Sequence, residues 1–278
     1  MIYLDNAATT PIASRVMDIL KESMDSDFAN PGTIYSIGLD ARKKIEHARE
    51  DIAIALNIPP THKIVFTSGG SEANNLFIKG RCFPDKKVAY LGLEHPSVRE
   101  PLEYLKSFGN NPLSLLAYQR EGRFDLKGVS ALSDNRSRLL CLSHVNNELG
   151  TVNDPSSIFD ALCKNSPETR LFMDGVQAVS VFKFTNQIWA GLTGYSLSAH
   201  KIHGPKGIGL LVYDSKLSLE PIIHGVPLAL KHPVRKTWRQ VDDARGVSNQ
   251  AGRFFCSFSG QVNPTECARP CDRRGPDA

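Results

Sequence analysis

Short apolar segments alternate with amphipathic segments through most of this 278-residue chain. The apolar segments predict strands at 63–67, 88–93, 139–143 and 170–173. The amphipathic segments predict helices at 12–24, 38–56, 71–78, 98–105 and 156–162. Strands that are apolar along their whole length need cover on both faces. The alternation therefore predicts an α/β fold, with a mostly parallel sheet and helices on both faces.

One lysine lies in a turn of small residues between two further apolar segments. The turn spans residues 196–209 and places Lys201 between His200 and His203. A lysine held between two buried strands is partly desolvated, which lowers its pKa and makes the neutral amine a nucleophile toward carbonyl groups. The turn therefore predicts a Schiff-base lysine. Taken alone, the same residue also fits a surface lysine on a hairpin.

A glycine-rich loop at 68–72 joins a predicted strand to a predicted helix. Free N–H groups and the helix dipole at such a junction favour an anion. The loop has neither the Gly-Lys-Ser/Thr ending of a Walker A loop nor the G-x-G-x-x-G spacing of dinucleotide-binding folds. The alternative is a plain turn in which Ser71 caps the helix.

Other polar residues follow predicted strands, where ligands bind in open α/β sheets. Asp174 could pair with a protonated ring nitrogen, and Gln177 could donate to a second group on the same ring. His95 could stack on the ring, and Asn147 could bind a ligand hydroxyl. The alternatives are helix capping by Asp174, a buried histidine and loop capping by the asparagine. With the anion-binding loop and the lysine, these groups match the requirements of pyridoxal 5'-phosphate.

Several motifs resemble the class V aminotransferase family, specifically its cysteine desulfurase and selenocysteine lyase branch. In the family's order they are YLDNAATTP at 3–11, NP at 30–31, TSGGSEANN at 67–75, EH at 94–95, HVNNELG at 144–150, DGVQ at 174–177 and SAHKIHGPKG at 198–207. The resemblance covers the chain from residue 1 to about 224. It implies that residues 1–225 form the pyridoxal-phosphate-binding large domain, with an N-terminal segment.

The resemblance also implies a role for each of nine residues. They are Lys201 as the cofactor-linked lysine, His95 stacked on the ring, Asp174 at the ring nitrogen, Gln177 and Asn147 near the ring hydroxyl, and Gly70, Ser71, Ser198 and His200 at the phosphate. Lys201 and His95 would be catalytic, and no metal is implied. In this family a mobile cysteine thiolate takes the sulfur of L-cysteine as a persulfide, leaving L-alanine. The sulfur serves iron–sulfur cluster or thio-cofactor assembly through acceptor proteins, and the enzymes are normally homodimers.

Residues 226–278 do not match the family. They contain no isoleucine and no tyrosine, and the Arg-Ser-Gly-Thr segment, the cysteine loop and the small C-terminal domain of the family are not recognisable there. We interpret this tail as the product of a shifted reading frame, or as a divergent and disordered segment. Its cysteines, Cys256, Cys267 and Cys271, cannot be assigned as the nucleophile by resemblance, although Cys256 fits best. The sequence thus predicts impaired desulfuration and makes a functional dimer doubtful.

The charge of the chain argues against a nucleic-acid partner. Residues 226–278 hold nine Lys or Arg and five Asp or Glu, which equals the whole formal net charge of +4. A basic excess confined to the tail, the least ordered part of the sequence, and without an interleaved aromatic platform does not indicate a nucleic-acid-binding surface. Cys267 and Cys271 lack a second ligand pair, which disfavours a zinc site.

Neither a signal peptide nor a membrane span is recognisable, so the sequence predicts a cytoplasmic protein with six free thiols. Three functions stay open at this stage. The first is a desulfurase-like pyridoxal phosphate protein with impaired activity. The second is another class V aminotransferase or lyase. The third is a non-catalytic remnant that binds a cofactor or a partner.

Overall fold

The computed structural model describes residues 2–81, 87–107, 113–116, 118–134 and 137–223. The predictions made for residues 226–278, including the domain boundary and the cysteines of the tail, lie outside the described residues, as does Cys82. Within the described part of the chain no helix is both long enough and apolar enough to cross a lipid bilayer.

Seven strands of the described residues form one sheet. They are β1 His62–Thr67, β2 Lys87–Leu91, β3 Leu113–Leu116, β4 Ser137–Ser143, β5 Arg170–Asp174, β6 Leu192–Ser198 and β7 Gly209–Asp214. Their order across the sheet is β1-β7-β6-β5-β4-β2-β3. The pairs from β3 to β6 are parallel, whereas β7 runs antiparallel to both β6 and β1. The carboxyl ends of β4, β5 and β6 therefore meet at one edge.

Seven α-helices accompany these strands in the described residues. They are α1 Ser14–Ser26, α2 Ser36–Ala55, α3 Gly70–Arg81, α4 Pro96–Ser107, α5 Val129–Asp134, α6 Pro155–Asn165 and α7 Asn186–Ala190. Each helix expected from the sequence is present, with ends that differ by a few residues. The segments β3, α5 and α7 were not expected, because they are short and carry little periodic signal.

Two hydrophobic cores cover opposite faces of the sheet. Along β1, Ile64 and Phe66 belong to one core and Val65 to the other, as the alternation of side chains in a strand requires. The first core is completed by α1, α2, α5, α6 and α7, and the second by α3 and α4. This arrangement confirms the predicted α/β class, with a mostly parallel sheet between helices.

Candidate functional site

The carboxyl ends of β4, β5 and β6 open on a cavity of about 470 Å³, within the usual range for small-molecule sites. The nine residues that sequence analysis singled out all line it. They are Gly70, Ser71, His95, Asn147, Asp174, Gln177, Ser198, His200 and Lys201. The topology brings them together because β1, β2, β4, β5 and β6 run in the same direction, so the loops that follow them lie on the same edge of the sheet.

Lys201 ends a short 3-10 helix, Ala199–Lys201, in the hairpin that joins β6 to β7. Its Nζ donates a hydrogen bond to the carbonyl oxygen of Ala8 at 2.8 Å and another to that of Ala7. Burial lowers the pKa of Lys201, and the carboxylates of Asp5 and Asp174 act in the opposite direction. The direction of this shift is the one that makes an amine more nucleophilic.

Residues 5–11 form an N-terminal strap that lies across the lysine turn. Thr10 N–H donates to the carbonyl oxygen of His200 at 2.8 Å, and Thr10 Oγ1 accepts from His203 N–H at 2.7 Å. The amide of Gln177 donates to the carbonyl oxygen of Ala7 at 2.8 Å, the same oxygen that Lys201 contacts. The strap thus supplies backbone acceptors to two residues of the cavity.

Asp174 is the last residue of β5, and its carboxylate is held from both sides. Oδ2 accepts from Asn74 Nδ2 at 2.8 Å, and Oδ1 accepts from Val176 N–H at 3.0 Å. Only 7% of the residue is exposed, although it lines the cavity. Such a fixed carboxylate can pair with a cationic ring nitrogen at low reorganisation cost.

The amino end of α3 faces the same cavity. Glu72 Oε2 accepts from the backbone N–H of Ser68 at 2.8 Å and from its hydroxyl at 2.7 Å. Glu72 thus closes the loop that precedes the helix and does not cap it. Ser71 lies inside α3 rather than at its cap position, so the alternative in which Ser71 caps the helix is wrong. Ser71 lines the cavity instead, beside Gly70 at the first turn. The free N–H groups of this 12-residue helix favour an anion there.

Two further predicted residues complete the wall. His95 is exposed at the cavity and not buried in the core, and Asn147 is half-buried beside it on the loop after β4. The loop itself is closed by Asn146, whose Oδ1 accepts from the N–H groups of Glu148 and Leu149 at 3.0 and 2.9 Å. Loop capping thus falls to the first asparagine, which leaves Asn147 available to a ligand.

Glu94 is a buried acid close to the cavity that sequence analysis did not single out. It is 3% exposed. Burial raises the pKa of Glu94 well above its usual range, the carboxylate of Asp174 raises it further, and Ser143 opposes the shift. The charged form of Glu94 is thus disfavoured, and its interaction with Asp174 places the two acids near each other. Its only sequence signal was the polar pair Glu94-His95 at a strand end.

His144, on the loop after β4, contacts the end of β5 and the buried Tyr195. Its backbone N–H donates to the carbonyl oxygen of Asp174 at 2.8 Å, and its Nδ1 lies 2.7 Å from Tyr195 Oη. The ring stacks on Phe182 with centroids 4.8 Å apart. Burial lowers the pKa of His144 to about 4. The folded protein therefore holds this ring neutral, whereas the unfolded chain protonates it at an ordinary pKa.

We expect the protein to lose stability on acidification because of His144. A folded-state pKa below the unfolded value makes its contribution fully present above about pH 6.5 and progressively lost as the pH falls toward about 4. Between about pH 7.5 and 5 the loss should be about 2 kcal/mol in the free energy of unfolding. Urea unfolding of the wild type and His144→Gln measures it, and the variant should lack this part of the acid slope. The exposed His47→Gln serves as control and should keep it; an equal slope in wild type and His144→Gln would contradict the assignment.

Comparisons with known proteins agree with this architecture. The aminotransferase class V family model matches residues 2–227. The cysteine desulfurase IscS of Dictyoglomus turgidum is 35% identical over 228 residues, which cover 81% of this chain and 57% of that relative. The chain thus spans less than two thirds of the length of that relative.

Solved structures give the same result. A NifS-like protein from Rickettsia africae ESF-5 has a TM-score of 0.77 at 27% identity, covering 93% of this chain and 69% of its own. SspA, solved in complex with cysteine, has a TM-score of 0.76 at 29% identity, covering 92% of this chain and 72% of its own. These matches confirm the resemblance found in the sequence motifs. The chain belongs to the class V aminotransferase family, and the relatives it matches there include cysteine desulfurases and NifS-like proteins.

Proposed function

We propose that this chain binds pyridoxal 5'-phosphate through Lys201 and acts on L-cysteine as a desulfurase-like protein. The observation that carries the proposal is the cavity in which a partly desolvated lysine, a fixed carboxylate and a helix amino end lie together. These are the partners required by the aldehyde, the ring nitrogen and the phosphate of that cofactor. When bound, the cofactor supplies an electron-withdrawing ring.

In this proposal each residue holds one part of the cofactor. Asp174 pairs with the protonated ring nitrogen, and Gln177 with Asn147 faces the ring hydroxyl. His95 lies against the ring. The phosphate is bound at the amino end of α3. Its partners are the backbone N–H groups of that end, the hydroxyls and the imidazole of four residues: Gly70, Ser71, Ser198 and His200. Burial, together with the nearby charges of Lys201 and Lys206, lowers the pKa of His200, which favours the neutral form of this imidazole.

The sulfur-accepting thiolate has to reach the cavity from elsewhere. Of the cysteines in the described ranges, Cys141 is buried in β4 and Cys163 is exposed on α6, and neither lines the cavity. We therefore propose that a cysteine outside the described residues, or a thiol of an acceptor protein, takes the sulfur. SspA, solved with cysteine bound, supports L-cysteine as the amino acid substrate.

We expect slow release of L-alanine from L-cysteine, because no cysteine of the described residues lines the cavity to accept the sulfur. A small thiol such as dithiothreitol should accelerate the release, because it can accept the sulfur instead. The purified full chain is loaded with pyridoxal phosphate, and alanine and sulfide are measured. L-Serine, which has no sulfur to transfer, is the matched control and should give no alanine. Cofactor binding without alanine from cysteine, with or without added thiol, would refute desulfuration and leave another class V reaction. Absence of cofactor binding would refute the whole proposal.

A further inference from the structure

The start of α4 determines the chemical state of His95. The helix begins at Pro96, which has no N–H, so the first backbone donor that needs an acceptor is Ser97 N–H. That N–H donates to His95 Nδ1 at 3.1 Å. A backbone N–H can only donate. Nδ1 must therefore present a lone pair, and the ring proton of a neutral imidazole must lie on Nε2.

A second donor reaches the same nitrogen. Ser97 Oγ lies 2.7 Å from His95 Nδ1. The same hydroxyl accepts from Asn74 Nδ2 at 2.8 Å, which leaves its own proton available for the imidazole. The Ser97 hydroxyl therefore acts in the same sense as the backbone N–H next to it.

The direction of this contact is set deeper in the protein. Asn74 is fully buried on α3, and its Nδ2 also donates to Asp174 Oδ2 at 2.8 Å. A carboxylate oxygen accepts, so the amide nitrogen faces Asp174 and its second proton points to Ser97. One continuous hydrogen-bond chain thus links the carboxylate of Asp174, through Asn74 and Ser97, to the imidazole of His95.

We propose that Ser97 and Asn74 are positioning residues that hold His95 as the Nε2–H tautomer. The nitrogen left for a bound molecule then carries a proton, while the lone pair is turned away into the helix start. This consequence rests on the proposed function: before the reaction begins, Nε2–H of His95 donates a hydrogen bond to an oxygen or sulfur anion of the amino acid substrate. It does not accept a proton from the substrate at Nε2.

The tautomer is measurable without cofactor or substrate, by ¹⁵N nuclear magnetic resonance of the histidine-labelled full chain above the ordinary histidine pKa. His95→Gln identifies the His95 signals by their loss. We expect a non-protonated Nδ1 and a protonated Nε2 in the wild type. Ser97→Ala should lower the ratio of Nε2–H to Nδ1–H tautomer about fivefold, the equivalent of one net hydrogen bond of about 1 kcal/mol. Ser97→Thr, which retains the hydroxyl, should restore the ratio.

Ser107→Ala, at the exposed end of the same helix, is the matched control and should leave the ratio unchanged. Asn74→Ala should shift it in the same direction as Ser97→Ala, and far-ultraviolet circular dichroism checks that both variants fold. A protonated Nδ1 in the wild type would overturn the proposal, as would a ratio unaffected in folded Ser97→Ala. Because the measurement needs no cofactor, its failure is distinct from a failure of pyridoxal phosphate binding.

Discussion

Lys201→Ala is expected to abolish covalent capture of pyridoxal 5'-phosphate. The residue supplies the amine of the cavity, and burial lowers its pKa in the direction that favours attack on an aldehyde. Borohydride reduction of the loaded protein, followed by peptide mass spectrometry, should place the label on Lys201 in the wild type. In the variant the label should fall to the level of a sample reduced without cofactor.

Lys206→Ala is the matched control for this experiment. Lys206 lies on the same turn, is exposed, and does not line the cavity. Its removal changes the net charge by the same amount as the loss of Lys201, so it separates a chemical effect from a general electrostatic one. Full labelling is expected in this control. Label that persists elsewhere in Lys201→Ala, or is lost equally in Lys206→Ala, would contradict the assignment of the lysine.

Gly209→Ala is expected to destabilise the protein by about 3 kcal/mol. Gly209 begins β7, between Thr67 of β1 and Ser198 of β6. A Cβ there would lie 2.5 Å from the Cα and carbonyl carbon of Gly69 and 2.7 Å from the carbonyl oxygen of Leu197. All of these atoms belong to the backbone, so no side-chain rotation relieves the overlap and the strand or the glycine loop must move.

Urea unfolding measures this effect against Gly128→Ala. A Cβ at Gly128 has no neighbour within 4 Å, so the control should be neutral or slightly stabilising through a less flexible unfolded chain. The displaced loop carries Gly70 and Ser71, so Gly209→Ala should also weaken cofactor binding. Equal stability of the two variants would show that the close approach of β7 to Gly69 is not maintained in solution.

The layered fold was predictable because strands buried on both faces are apolar along their whole length. The antiparallel direction of β7 was expected only in the hairpin alternative for the Lys201 turn, because the apolar run at 208–213 has the same hydrophobic pattern whichever way the strand points. Its only hint was the shortness of the segment after Lys201, which leaves no room for the helix that a parallel crossover needs.

The cavity residues were predictable where a polar side chain follows an apolar strand, as Asp174 and His95 do. Asn74 and Ser97 were not, because a polar residue inside or at the start of a helix is ordinary. Only the packing of α3 beside α4 brings the amide to the hydroxyl. The motif at 3–11 was recognised, but the contacts of the strap with Lys201 were not predicted. They are made by the carbonyl oxygens of Ala7 and Ala8, and backbone groups leave no trace in side-chain patterns.

The carbonyl oxygens of the strap occupy hydrogen-bond donors of the cavity that a ligand could otherwise bind. The amine of Lys201 and the amide of Gln177 both donate hydrogen bonds to the strap when no ligand is bound. Arrival of an aldehyde at Lys201 would then be an exchange of one partner for another. In such an exchange the free energy gained from the newcomer is reduced by the contacts it displaces. The strap at residues 5–11 therefore helps to set the affinity of the cavity for a ligand, together with the side chains that would bind that ligand.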